Sequence, residues 1–212
     1  MRIEHFTFNA FAENTYLLIG ESKDTILIDP GMMDPQEEQQ LFTFISEENL
    51  RPIRSMNTHC HIDHVLGIHA VNKQYSLSPE FHLKEQMVFD SCERVAQMYG
   101  IPYLAYTGQV RSLDVGDTID LDGEELELRF VPGHSPGHLV FISHTSKAVI
   151  AGDTLFRGSI GRTDLPGGEH DLLLESIRNE MYSLPEDYTV WPGHGPRTTI
   201  GWEKKNNPFV RA

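Results

Sequence analysis

The 212-residue sequence predicts an α/β fold in which two β-sheets pack face to face with helices outside them. Three observations predict it. Short β-branched or aromatic runs alternate with longer stretches of helical period. The alternation falls into two comparable halves, each passing through strands and helices, which suits two layered sheets. Length and a hydrophobic share of 39% suit one core, and no linker or solenoid-period repeat divides the chain, so residues 1–212 are expected to form a single domain.

Extended runs at Ile3 to Phe8, Thr15 to Ile19 and Thr25 to Ile28 make an N-terminal meander, the last closed by the turn Asp29-Pro30-Gly31. Asp34 to Asn49 carries helical patterning, with Asp34 as N-cap, Pro35 at the first position, and Leu41, Phe42 and Ile45 on one face. Ile53 to Met56 reads as a strand and runs straight into a histidine-rich segment. Helical patterning returns at His64 to Tyr75 and Lys84 to Tyr99. The second half has strands at Leu126 to Val131, Leu139 to Ser143 and Ala148 to Ala151, a helix at His170 to Tyr182 and a strand at Tyr188 to Trp191.

The 31 acidic and 17 basic residues leave a net charge of −14, which argues against nucleic acid or an anionic membrane as partner. The N-terminus lacks an apolar core followed by a small-residue cleavage site, and no run reaches bilayer length, so a cytoplasmic location is expected. Cys60 and Cys92 are too few for a disulfide framework and are expected to be free thiols. Monomer and small homo-oligomer are both compatible with this composition.

The chemistry concentrates at Thr58-His59-Cys60-His61-Ile62-Asp63-His64, an H-x-H-x-D-H segment at a strand end. Imidazole and carboxylate are donors for zinc, iron and manganese, and alternation puts His59 and His61 on one side of an extended turn. Asp63 and His64 are expected at the start of a helix. Four ligands so close are too many for one tetrahedral ion that keeps an open position, so two adjacent divalent metal ions are the economical reading. His134, Asp153 and His194 each follow a short apolar run, where strand ends can bring them to the same edge. A histidine after Pro-Gly is by itself commonly a loop residue, and an aspartate after Gly a turn residue; the recurrence carries the argument.

The remaining histidines have no partner ligands. His5, His69, His82, His144 and His170 read as surface or structural residues. His138 either supports a ligand or holds its own loop, and Asp29 is a candidate to orient a metal-bound imidazole. Pro166-Gly167-Gly168 reads as a turn, since no Lys-Ser/Thr follows to make a phosphate loop.

With Thr58 to His64, Pro132-Gly133-His134-Ser135-Pro136-Gly137-His138, Gly152-Asp153-Thr154-Leu155-Phe156 and Pro192-Gly193-His194-Gly195-Pro196 in this order, the chain resembles the metallo-β-lactamase superfamily, specifically its compact glyoxalase II-like hydrolases. The resemblance implies an αββα sandwich of two mixed sheets. It implies His59, His61 and His134 on a first metal ion, Asp63, His64 and His194 on a second, and Asp153 bridging them, with zinc expected and iron or manganese accepted.

The implied reaction is hydrolysis of a small-molecule thioester of the S-2-hydroxyacyl type, such as S-lactoylglutathione, by a metal-bridging hydroxide that Asp63 orients or relieves of a proton. Arg162 stands near the place of the family's glutathione-binding lysine and would attract a substrate carboxylate, while Asp164 replaces the tyrosine expected two residues later. Enzymes that open β-lactams usually carry cysteine in place of Asp153. The rival within the resemblance is a persulfide dioxygenase with one iron on His59, His134 and Asp153; hydrolysis of another ester, lactone or phosphoester is a further alternative.

Overall fold

The three N-terminal runs form β1 (Arg2–Phe8), β2 (Glu13–Ile19) and β3 (Asp24–Ile28), joined antiparallel so that Tyr16 stands opposite His5 on one side and Ile28 on the other. β2 is buried along its whole length, as a strand covered on both faces must be. The chain then rises into α1 (Pro35–Glu47), where Asp34 Oδ1 accepts the N–H groups of Gln36 at 2.8 Å and Glu37 at 3.0 Å. It returns as β4 (Arg51–Met56), parallel to β3.

After the histidine segment come α2 (Ile68–Tyr75), β5 (Pro79–Phe81), α3 (Gln86–Tyr99) and β6 (Arg111–Ser112). The second half contains β7 (Ile119–Leu121), β8 (Glu124–Phe130), β9 (Leu139–Ser143), β10 (Ala148–Gly152) and the small hairpin β11 (Leu155–Phe156) with β12 (Ser159–Ile160). It ends with α4 (His170–Ser176), β13 (Thr189–Pro192), β14 (Thr198–Thr199) and α5 (Ile200–Asn206). This computed structural model describes residues 1–211.

One six-stranded sheet has the order β1-β2-β3-β4-β5-β6 and the other β14-β13-β10-β9-β8-β7, each mixing parallel and antiparallel pairs. Alternation along β3 shows how the layers form: Ile26 and Ile28 join Leu128, Leu139, Phe141 and Ile150 between the sheets, while Leu27 points outward to Leu41, Ile45 and Val71 of α1 and α2. On the far side, Val140, Val149 and Val190 pack against Leu173, Ile177 and Ile200. Each such side chain contributes about 1.5–3 kcal/mol when fully buried, so a one-residue slip of register would expose an entire stripe. The αββα sandwich of two mixed sheets is thus the observed architecture.

The helix expected from His64 starts only at Ile68. Ile62–His64 is a separate 3₁₀ turn, and Val65, at φ −125°, takes the backbone out of helix. The cause is tertiary: Asn57 Nδ2 donates to the His64 carbonyl at 2.8 Å, an acceptor that a continuing helix would have used itself. Among the described residues, no helix is long and apolar enough to cross a membrane.

Candidate metal centre

All seven candidate ligands lie just beyond the ends of β4, β8, β10 and β13. β10 and β13 run parallel, so Asp153 and His194 emerge at the same edge. Gly193 ties that edge together, donating to the Gly152 carbonyl at 2.7 Å and accepting the Asn14 N–H of the other sheet at 2.7 Å. Gly152 needs its φ of +48° and its lack of a side chain, because a Cβ there would lie 2.4 Å from Thr58 Oγ1.

His59, His61 and His134 form one cluster whose donor atoms all lie within 4.8 Å of one another. His134 Nδ1 donates to the Arg162 carbonyl at 2.7 Å, which leaves Nε2 as a bare lone pair. Thr58 Oγ1 donates to Asp29 Oδ2 and so receives the His59 Nδ1 proton at 3.0 Å, which bares His59 Nε2 as well. The two bare nitrogens face each other at 3.2 Å, and His61 Nδ1 approaches His134 Nε2 at 2.8 Å. Lone pairs converging in this way fit a cation between them. Burial, with neighbouring imidazoles adding to it, keeps His59 far below the usual histidine range, and burial beside His134 pushes His61 down to about 3.

Asp63, His64 and His194 form a second cluster, its donor atoms likewise within 4.8 Å of one another. His64 Nδ1 donates to Asp29 Oδ2 at 3.1 Å and His194 Nδ1 to the Phe11 carbonyl at 3.1 Å, so both Nε2 atoms turn inward. Asp153 lies between the clusters. Its Oδ1 is 3.4 Å from His64 Nε2, and its Oδ2 is 3.6 Å from His134 Nε2 and 3.4 Å from His194 Nε2. His64 Nε2 and Asp153 Oδ1 are buried without a hydrogen bond, a costly state that a bound cation would relieve. Burial works against charging His194, but Asp153 and Asp63 outweigh it and raise the imidazole to about 10. The first cluster is therefore a set of neutral bases, and the second a pair of carboxylates that demands positive charge.

Both clusters fit metal ions, and a fixed frame holds them. Asp29, at φ +53°, accepts the Thr58 N–H and hydroxyl in addition to His64. Of the two readings of His138, its contacts match support of ligands: its Nε2 accepts the Asp153 N–H at 3.1 Å while its ring stacks on His59. Two further carboxylates, Glu13 and Glu85, are buried beside the ligands without belonging to any of the histidine motifs. Glu13 lies with Oε1 3.8 Å from His64 Nδ1, and Glu85 accepts the N–H groups of Cys60 and Gly137 and the Ser135 hydroxyl. Neither has a motif spacing to betray it; Glu85 stands 24 positions from His61 and 49 from His134 in the sequence.

Asp63 and His194 keep 14% and 26% side-chain exposure, so the centre opens on their side, where Phe156 packs near His194. Arg162 lies on the same loop as the His134 contact, but its guanidinium is gripped by Asp164 through two 2.7 Å hydrogen bonds. Of the other histidines, His144 bonds the Tyr188 hydroxyl and Glu127, and His82 caps the turn at Lys84; both serve structure. Cys60 and Cys92 are both buried free thiols.

A family model described as the metallo-beta-lactamase superfamily matches residues 9–194. Hydroxyacylglutathione hydrolase GloC of Haemophilus influenzae is 36% identical over 214 residues, covering 100% of this chain and 99% of its own length. Among solved structures, the BLEG-1 B3 metallo-beta-lactamase superposes with a TM-score of 0.90 at 32% identity, covering 100% of both chains. TTHA1623 in a di-iron-bound form superposes with a TM-score of 0.88 at 34% identity, covering 98% of this chain and 100% of that one.

Proposed function

The chain belongs to the metallo-β-lactamase superfamily as a metallo-hydrolase, and from that premise we propose that it hydrolyses S-2-hydroxyacyl thioesters with two divalent metal ions. The observation that carries this reading is Asp153 standing between two three-residue clusters of ligand atoms. The substrate class draws its support from the full-length relative named as a hydroxyacylglutathione hydrolase.

His59, His61 and His134 would hold one ion, Asp63, His64 and His194 the other, with Asp153 shared. Ions bound there lower the pKa of water towards neutrality and polarise a carbonyl oxygen. Asp63, on the open side, orients the attacking water and accepts its proton. The water oxygen bonds to the acyl carbon, the C–S bond breaks, and the departing thiolate takes up that proton. Imidazole and carboxylate donors accept zinc, iron or manganese, and the di-iron-bound relative makes iron as important to assay as zinc.

Arg162 is the proposed contact for a substrate carboxylate, provided that Asp164 releases it. A solved structure that matches this chain over its full length is named as a B3 metallo-beta-lactamase, so a β-lactam is a second substrate class to test. Nitrocefin therefore belongs in the substrate panel.

The test is metal content per chain after purification without added metal, followed by S-D-lactoylglutathione hydrolysis, nitrocefin hydrolysis and glutathione-persulfide-dependent oxygen uptake on the same sample. About two ions with thioester hydrolysis and no oxygen uptake is the expected result. A single iron with oxygen uptake and negligible hydrolysis overturns it in favour of a persulfide dioxygenase.

A further inference from the structure

Glu85 lies far from the candidate ligands in sequence, is fully buried, and ends the 3₁₀ turn Leu83–Glu85 that leads into α3. Its Oε2 accepts the N–H of Cys60 at 2.8 Å, the residue between His59 and His61. Its Oε1 accepts the Ser135 hydroxyl at 2.5 Å and the Gly137 N–H at 2.6 Å, one and three residues beyond His134. One carboxylate thus clamps both segments that supply the first cluster, and one of those segments comes from each sheet. The loop closes so tightly on it that a Cβ on Gly137 would fall 2.8 Å from Glu85 Cγ.

We propose that Glu85 is a positioning residue for the first metal site, fixing the distance between the His59–His61 segment and His134 by holding the backbone on either side. This rests on the reading that those three histidines hold a metal ion. The chemistry selects a carboxylate for the task. Each oxygen faces a backbone N–H, a group that donates and never accepts, so both ends of the side chain must be acceptors. Glutamine has the same shape but one donor end. Whichever way its amide is turned, an NH₂ meets a backbone N–H, and one of the two segments is pushed away. The second cluster is held by Asp29 and by the Phe11 carbonyl and does not use Glu85.

The experiment compares the wild type with Glu85→Gln and Ser135→Ala. Each protein is stripped of metal, titrated with Zn²⁺ against a competing chromophoric chelator, and separately loaded with Co²⁺ to record the visible ligand-field spectrum. Glu85→Gln should weaken one of the two sites about 10–100-fold, as loss of groups that orient ligands commonly does, and alter the cobalt spectrum of that site. Ser135→Ala, which removes only one hydrogen bond, should weaken the same site about fivefold. The other site should stay within about twofold of wild type. If Glu85→Gln does not fold, Ser135→Ala decides between the two outcomes by itself.

Unchanged affinities and unchanged spectra overturn the assignment. So does equal weakening of both sites, which is what a general loss of structure would give. Thioester hydrolysis plays no part in these ratios. An inactive wild type would overturn the substrate reading and leave the comparison between variants and wild type standing.

Discussion

Asp29 grips Thr58 with both carboxylate oxygens, Oδ1 taking the backbone N–H and Oδ2 the side-chain hydroxyl, each at 2.7 Å. The aspartate does so from a left-handed backbone conformation, φ +53°, that few residues other than glycine, asparagine and aspartate adopt readily. Strain at that position is offset by three hydrogen bonds that set the start of the ligand segment and the ring of His64.

Two substitutions separate these roles. Asp29→Asn keeps the backbone preference and loses an acceptor, so metal affinity should fall about 10–100-fold with modest loss of stability. Asp29→Ala loses the acceptors and the tolerance for positive φ together, and should unfold roughly 1–2 kcal/mol more easily than Asp29→Asn. Denaturant melts of the metal-free proteins measure the difference. Equal stability of the two variants would mean that the left-handed backbone carries no cost there.

Metal removal should be felt in the fold as well as in activity. At free ion concentrations about 1,000 times Kd, each ion that binds only the native state adds about 4 kcal/mol. For a chain of this size that corresponds to roughly 8–16 °C in Tm per ion. A thermal scan before and after chelation, with re-addition of Zn²⁺ or Fe²⁺, reads it directly. A Tm that ignores chelation would mean that the seven side chains are held in place without an ion.

Acid should empty the two sites in order. In the metal-free protein His194 stays protonated up to about 10, so an ion entering the second site displaces a proton throughout the neutral range. Its apparent affinity should drop about tenfold for each pH unit lowered, per proton displaced. His61, pushed down to about 3, and His59, lower than the ordinary range, hold no competing proton there, so the first site keeps its ion. Zinc titrations at pH 8, 7 and 6 should therefore show one site weakening steeply and the other little. Parallel weakening of both would count against the assignment of protons.

Arg162 is held by an exposed fork to Asp164, and solvent screening leaves such a pair weak. Asp164→Ala should release the guanidinium and lower KM for a carboxylate-bearing thioester by about two- to fivefold, with kcat unchanged. Arg162→Ala should raise that KM by about two- to fivefold, because a screened surface fork is readily exchanged for the substrate carboxylate. No rise would mean that Asp164 keeps the arginine from the substrate.

The layered fold is legible because β-branched runs such as Thr25 to Ile28 close on turn signals and because Asp34-Pro35 starts a helix by rules local to the sequence. The candidate ligands are legible because histidine is uncommon and each one follows an apolar run. β5, β6, β7, β11, β12 and β14 have two or three residues each, too few to show a period, and they exist only because a neighbouring strand pairs with them. The helix expected at His64 fails for a related reason: Asn57 captures the carbonyl that helix would need. Glu85 and Glu13 leave no trace in the sequence, since what distinguishes them is burial and contact across the fold.

The order of the ligands along the chain bears on biosynthesis. Four of them lie between His59 and His64, yet the last, His194, stands 130 residues after His64. Synthesis proceeds at about 5–20 residues per second. Roughly 7–26 seconds therefore separate the emergence of His64 from that of His194. Until that interval ends a nascent chain displays an H-x-H-x-D-H segment whose second-sheet frame is not yet complete. A metal ion captured then would be held by a partial and exposed set of donors, and would be kept only if it suits the site that the finished sandwich completes.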